Sequence, residues 1–290
     1  MSTFAPYFQL TKPRLLPLVL FSGLPALVMA AGGWPDPAHA AAILGGIALA
    51  GGAANALNSY LERDKDALMS RTVTRPLPAG ALDPRRALAF GLALGVAGPG
   101  LLWWTSGAPA ALVALAGILF YVFVYTLWLK PRTPAAVIWG GVAGAISPLI
   151  ADAAVDGRIG AAGWLVFAIV FAWQPPHFWA IAIYRQAEYE AADFPLLVSR
   201  IGPAATARHI VAWIAALVAV SLVPVGLGML GVLYGVTAVA LGAWFALSGV
   251  QLLRDPAAEP ARRVFRVSLV YLMGIFAAML TDLALHALIA

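Results

Sequence analysis

The residues of this chain best suited to chemistry lie between Asn58 and Gly80, in NSYLERDKDALMSRTVTRPLPAG. Asn58, Glu62 and Asp66 are spaced i, i+4, i+8. On a helix this stacks them along one face, each about 6 Å above the last and drifting by about 40° per step. Two carboxylates and an amide oxygen are hard donors suited to Mg²⁺, which keeps several waters and shares its shell with substrate phosphates. Asp64 falls off that face. Arg71 and Arg75 follow at once, and arginine grips phosphate oxygens bidentately. Pro76 and Pro78 then turn the chain away from helix. Acids on one face with bases directly behind them suit a magnesium–diphosphate site. The plainer reading is a solvated helix end laced with salt bridges. Against it stands Asn58, inside an apolar run where a buried polar group is costly unless it is used.

A second stretch reads FAWQPPHFWAIAIYRQAEYEAADFPLL. Its two prolines are expected to break a helix at Pro175–Pro176, with His177 at membrane depth among Trp173, Phe178 and Trp179. The spacing of His177, Tyr184 and Glu188 keeps all three close to one helical face. Arg185 precedes Glu188, and Glu190 and Asp193 lie beyond. Lys130 and Arg132 form another basic cluster, and Lys12 and Arg14 precede the first apolar run.

These residues require membrane helices to position them. The chain has 290 residues, 62% hydrophobic and 11% charged, with a mean hydropathy of +0.88. A soluble domain carries about 25% charge, so the composition is that of an all-α polytopic membrane protein. Apolar alternation of period two does not recur in ten-residue segments, which argues against an outer-membrane barrel. The absence of cysteine excludes disulfides, thiolate metal sites and covalent CxxCH haem attachment. MSTFAPYFQLTKPR has no basic region leading to a small-residue cleavage site, so the first apolar run reads as a retained helix. The pI of ≈ 9.7 reads as membrane topology rather than nucleic-acid binding.

Nine spans of roughly 17–22 residues can be laid along the chain, near 15–32, 40–60, 87–104, 109–129, 135–151, 161–181, 209–227, 231–252 and 268–288. Lys and Arg in alternate loops number 17 on one side, against Arg158 alone on the other. The positive-inside rule then predicts a cytoplasmic N-terminus and, with nine spans, an outside C-terminus. The long charged loops 61–86 and 184–208 both fall on the cytoplasmic side. They follow spans two and six, a weak sign that spans 2–3 and 6–7 are duplicated units within a single membrane-embedded domain covering 1–290.

LTKPR at 10–14, the 58–80 stretch, YTLWLKPRTP at 125–134 and WQPPHFWA at 173–180 running into EYEAADFPLL together resemble the UbiA-type intramembrane prenyltransferases. The ALMxRTxxRP extension and WQxPHF point to the haem-farnesylating branch, the protohaem IX farnesyltransferases. The motifs stand in family order over most of the chain. The resemblance implies a nine-helix bundle around a cavity open to the cytoplasm and laterally to lipid, and the Ala/Gly/Arg-rich composition suggests a high-GC bacterium and hence an inner membrane. It implies Mg²⁺ held by Asn58, Glu62, Asp66 and Glu188, with Arg185 and Glu188 matching the second acidic motif. Arg71, Arg75, Lys130 and Arg132 would clamp the diphosphate. The implied donor is farnesyl diphosphate and the acceptor the vinyl group of haem b, with water added to give haem O. A haem A synthase is an implied docking partner. His177 would ligate the haem iron, orient a propionate or act as a base. Lys12 and Arg14 would face propionates, and Trp173 and Tyr184 an allylic cation. The competing readings are an aromatic or chlorophyllide acceptor on the same fold, a transporter, and an assembly scaffold.

Overall fold

The computed structural model describes residues 4–289, and the regular elements among them are helical. In order these are α1 (Ala5–Leu10), α2 (Leu16–Ala30), α3 (Pro37–Asp66), α4 (Pro84–Ser106), α5 (Ala108–Leu119), a π-helix (Phe120–Leu129), α6 (Ala136–Gly144), α7 (Ile146–Asp156), α8 (Ala161–Tyr184), α9 (Gln186–Ala191), α10 (Leu197–Gly226), α11 (Val232–Arg254) and α12 (Ala258–Ile289). Taking α5 with the π-helix and α6 with α7, eight helices among the described residues are long and apolar enough to cross a membrane. The expected first span forms α2, which has 15 residues. At 1.5 Å per residue it reaches about 22 Å, short of a hydrocarbon core of about 30 Å.

Aspartates begin several of these helices because lipid cannot hydrogen-bond the free N–H groups of a first turn. Asp36 accepts from His39 N at 2.8 Å, and Asp83 from Arg85 N and Arg86 N. Asp152 of α7 reaches across to α8, accepting from Gly160 N at 2.7 Å and Gly163 N at 2.8 Å. Asp282 of α12 does the same for α11 through Gly231 N and Tyr234 N. Small residues let the helices approach closely, as in other membrane bundles. A Cβ on Gly98 of α4 would stand 2.7 Å from the backbone nitrogen of Ala50 in α3.

Three expectations need correcting. Pro175 and Pro176 do not break α8, which runs unbroken from Ala161 to Tyr184. Proline's φ suits a helix, and the packing of α6, α10 and α12 around this rod makes up for the two lost N–H donors. The helix instead ends at Arg185, where φ is −121°. Glu188 therefore sits on α9 and shares no continuous helical face with His177. Finally, α10 starts at Leu197, with a kink at Gly202, and α12 starts at Ala258, each about ten residues before the predicted span. Hydropathy detects the lipid-buried part of a helix, whereas backbone hydrogen bonding continues through polar turns beyond it.

Candidate active site

The C-terminal end of α3 carries the first motif, and each of its three groups meets a different base. Lys12 Nζ donates to Asn58 Oδ1 at 2.7 Å. Lys130 Nζ pairs with Glu62 Oε1 at 2.5 Å. Arg75 pairs with Asp66 Oδ2 at 2.8 Å, and the Thr72 hydroxyl donates to the Asp66 carbonyl at 2.7 Å. Asn58, Glu62 and Asp66 are all buried. Lys12 reaches this site from a left-handed backbone conformation, with φ of 53°. That is unusual for a non-glycine residue and is stored at functional positions.

The π-helix explains how Lys130 arrives there. Thr126 Oγ1 donates to the Tyr121 carbonyl and Lys130 N to the Tyr125 carbonyl, both five residues back, and such wide turns concentrate at functional sites. Asn58 Nδ2 donates to Thr126 Oγ1 at 3.2 Å. The Asn58–Thr126 and Glu62–Lys130 contacts are both 68 residues apart, so α3 and the π-helix run parallel and in register. Tyr121 and Tyr125 stack beside them at 5.2 Å. Neither Thr126 nor this tyrosine pair was singled out from the sequence, where the apolar run reads as ordinary helix.

Arg71, Arg75 and Lys130 set three positive charges against the two carboxylates, so the cluster has a surplus of one positive charge before Lys12 is counted. Burial, with Arg75 and Lys130 nearby, pushes the Lys12 ammonium down to about 7. Burial also opposes the charge on Lys130, but Tyr125 and Glu62 outweigh it and hold its pKa above the usual lysine value. The oxygen donors of Asn58, Glu62 and Asp66 fit Mg²⁺ in kind. Each carboxylate engages its base through one oxygen, Glu62 Oε1 and Asp66 Oδ2. No three acidic or histidine side chains converge on one point among the described residues. A cavity of ≈ 320 Å³ opens here, lined by Glu62, Lys65, Thr126, Lys130 and Phe194 among others.

The second loop docks on the first through aromatic rings. The Arg71 guanidinium lies 4.8 Å from the Tyr189 ring centroid, while Lys65 and Lys130 lie 4.7 and 5.0 Å from that of Phe194. Glu188 itself pairs with Arg185 at 3.1 Å and does not join Glu62 and Asp66. Arg132 donates to the Leu127 and Trp128 carbonyls, each at 2.9 Å, and so caps the end of the π-helix. Arg14 is exposed.

His177 lies in a separate cluster between α8 and α12. Its ring stacks on Trp173 at 4.2 Å and lies 4.8 Å from Phe265. Its Nδ1 is 2.7 Å from Ser268 Oγ, and Trp173 Nε1 donates to the Ser268 carbonyl at 2.6 Å. Phe265 meets Tyr184 edge-on at 6.0 Å, and the Tyr184 ring carries Arg262 and Arg185 at 5.5 and 5.7 Å. An aromatic row thus leads from the half-buried histidine to two arginines. Lys12 belongs to the acidic motif. On one side of the bundle an apolar groove of ≈ 490 Å³ is lined by Phe21 of α2 and by Leu269, Val270, Met273, Gly274 and Ala277 of α12.

Membrane helices with paired acids and bases at one end of the bundle and an apolar side groove suit a membrane protein that handles an anionic, lipid-like molecule. Residues 19–277 match the UbiA prenyltransferase family, and the chain belongs to that family. It is 40% identical to the Protoheme IX farnesyltransferase of Granulibacter bethesdensis, over 97% of this chain and 92% of that protein. It is 42% identical to the Protoheme IX farnesyltransferase of Thermus thermophilus over 98% of its own length, and spans 46%, about half, of that relative. Among solved structures, a digeranylgeranylglyceryl phosphate synthase superposes with a TM-score of 0.83 at 16% identity, covering 98% of this chain and 99% of that one. A UbiA homologue from Archaeoglobus fulgidus bound to DMAPP and Mg²⁺ superposes with a TM-score of 0.65 at 16% identity, covering 95% and 99%. At these identities the structural likeness establishes the helical fold.

Proposed function

We propose that this chain transfers a farnesyl group from farnesyl diphosphate to a vinyl group of haem b, with addition of water, giving haem O and diphosphate. The observation that carries the reading is the parallel, in-register set in which Lys12, Lys130 and Arg75 meet Asn58, Glu62 and Asp66. With Arg71 beside it, the set has a cationic surplus that matches a polyanion. The name shared by the relatives at 40–42% identity supports haem as the acceptor over a phenol or chlorophyllide.

Mg²⁺, held by Asn58, Glu62 and Asp66, would offset the diphosphate charge and make it a better leaving group. Glu188 is the remaining candidate ligand, carried on the segment that Tyr189 and Phe194 dock. Arg71, Arg75 and Lys130 hold phosphate oxygens where negative charge grows as the C1–O bond breaks, with Lys12 beside them. The bonding pair leaves with diphosphate, and the vinyl group of haem supplies the electrons for the new bond to C1. Water adds to the resulting cation and loses a proton. Tyr121 and Tyr125 offer aromatic faces beside the acidic motif, each worth about 0.5–2 kcal/mol to a passing cation. The apolar groove between α2 and α12 suits the farnesyl chain. Arg262 and Arg185 suit the haem propionates, which enter beside His177.

We read α2 as a ninth, short span, which sets the N-terminus in the cytoplasm and the C-terminus outside. The whole forms one domain of a bacterial inner membrane, with a haem A synthase as its docking partner. The test is purified protein with haem b, farnesyl diphosphate and Mg²⁺, followed by mass spectrometry of extracted haem. A haem heavier by one farnesyl and one water supports the reading. Unchanged haem with a prenylated phenol moves the acceptor assignment to another branch. No diphosphate release with any acceptor overturns it in favour of a transporter or scaffold.

A further inference from the structure

Ser268 is completely buried on α12 and plays no part in the diphosphate site. Its hydroxyl lies 2.7 Å from two groups, the Phe265 carbonyl of its own helix and Nδ1 of His177 across the helix interface. A hydroxyl has one proton and can donate to one of them. If His177 carries its proton on Nδ1, the imidazole donates to Ser268 and Ser268 donates to Phe265, so both hydrogen bonds form. If the proton sits on Nε2, Ser268 must donate to Nδ1 and its bond to the Phe265 carbonyl is lost. Nε2–H then has no acceptor among the described residues. The first tautomer keeps one more hydrogen bond at the fully buried Ser268 hydroxyl, so it is the favoured one. Trp173 and Phe265 both pack against the ring, which limits its rotation.

We propose that Ser268 is a positioning residue that holds His177 as the Nδ1–H tautomer and leaves Nε2 as a free lone-pair donor for the iron of the haem acceptor. The arrangement follows the general logic of metal-binding histidines. A hydrogen bond at one ring nitrogen sets the tautomer and raises the basicity of the other. Ser268 is 91 residues from His177 along the chain, so no local motif announces it. The proposal rests on the reading that haem is the acceptor and that His177 meets its iron.

The test is haem b titration into full-length protein in detergent, followed through the Soret band, with the iron–histidine stretch of the reduced complex read by resonance Raman. Ser268→Ala should weaken haem binding on the order of tenfold and move the stretch to lower frequency, because the imidazole loses its hydrogen-bond acceptor. Ser268→Thr should keep both near the wild-type values. Trp173 bonds the backbone carbonyl of residue 268, so that contact survives both substitutions, and a single size-exclusion peak verifies folding. If Ser268→Thr cannot be accommodated, Ser268→Cys, with its weaker acceptor, should fall between wild type and Ala. An unchanged affinity and stretch in folded Ser268→Ala overturns the positioning role. If His177→Ala also leaves the Soret band and affinity unchanged, the underlying assignment of His177 to the haem iron fails instead.

Discussion

Glu62→Gln separates the two things that Glu62 does in this structure. Its carboxylate balances Lys130, and on the proposed reading it is also one of three oxygen donors to the metal–diphosphate. The Glu62 and Lys130 side chains are 11% and 23% exposed, so water replaces the lost charge poorly. Glutamine keeps an oxygen that Lys130 can reach. The change therefore turns a charge-assisted hydrogen bond into an ordinary one, a loss of about 1–1.5 kcal/mol. For a chain of this size that lowers Tm by about 2–6 °C. The catalytic loss should be larger. Losing a charged group at the metal–diphosphate site should cost about 100-fold in rate, or about 2.7 kcal/mol. The assay is diphosphate release at saturating Mg²⁺, with tryptophan-fluorescence melting in parallel. The same substitution is then made in a Lys130→Met background. If Glu62 serves only to place Lys130, it has nothing left to do there and the second substitution is silent. If it binds the metal directly, most of the 100-fold loss persists. A silent Glu62→Gln in the Lys130→Met background refutes the metal assignment.

Chelation with EDTA should abolish diphosphate release and Mg²⁺ should restore it, while the Soret shift on haem binding stays unchanged because His177 lies in a separate cluster. Gly98→Ala should cost about 1–3 kcal/mol and lower Tm, since its Cβ would meet the Ala50 backbone at 2.7 Å. Gly95→Ala, whose nearest neighbour is 3.9 Å away, should leave Tm unchanged or raise it, and equal effects at the two positions would refute the close α3–α4 approach. Tyr189→Leu removes the ring beneath Arg71 and should raise the KM for farnesyl diphosphate by about 2- to 30-fold with a smaller effect on kcat. An unchanged KM means that the docked loop does not order Arg71.

The sequence by itself determined the class of fold and where its chemistry gathers. A mean hydropathy of +0.88 without ten-residue segments of period-two alternation points to membrane helices, because lipid satisfies no backbone hydrogen bonds. The i, i+4, i+8 spacing puts Asn58, Glu62 and Asp66 on one face because the period belongs to a single helix. Periodicity within one segment says nothing about its neighbours. The tertiary structure alone decided that Lys12 meets Asn58, that Lys130 and not Arg132 meets Glu62, and that α8 runs straight through Pro175 and Pro176. It also put Glu188 on a separate helix and brought Ser268 to His177. These contacts join residues 46 to 91 positions apart. They depend on which helices are adjacent and in what register, and in a uniformly apolar bundle that is set by close packing of small residues, which hydropathy does not read.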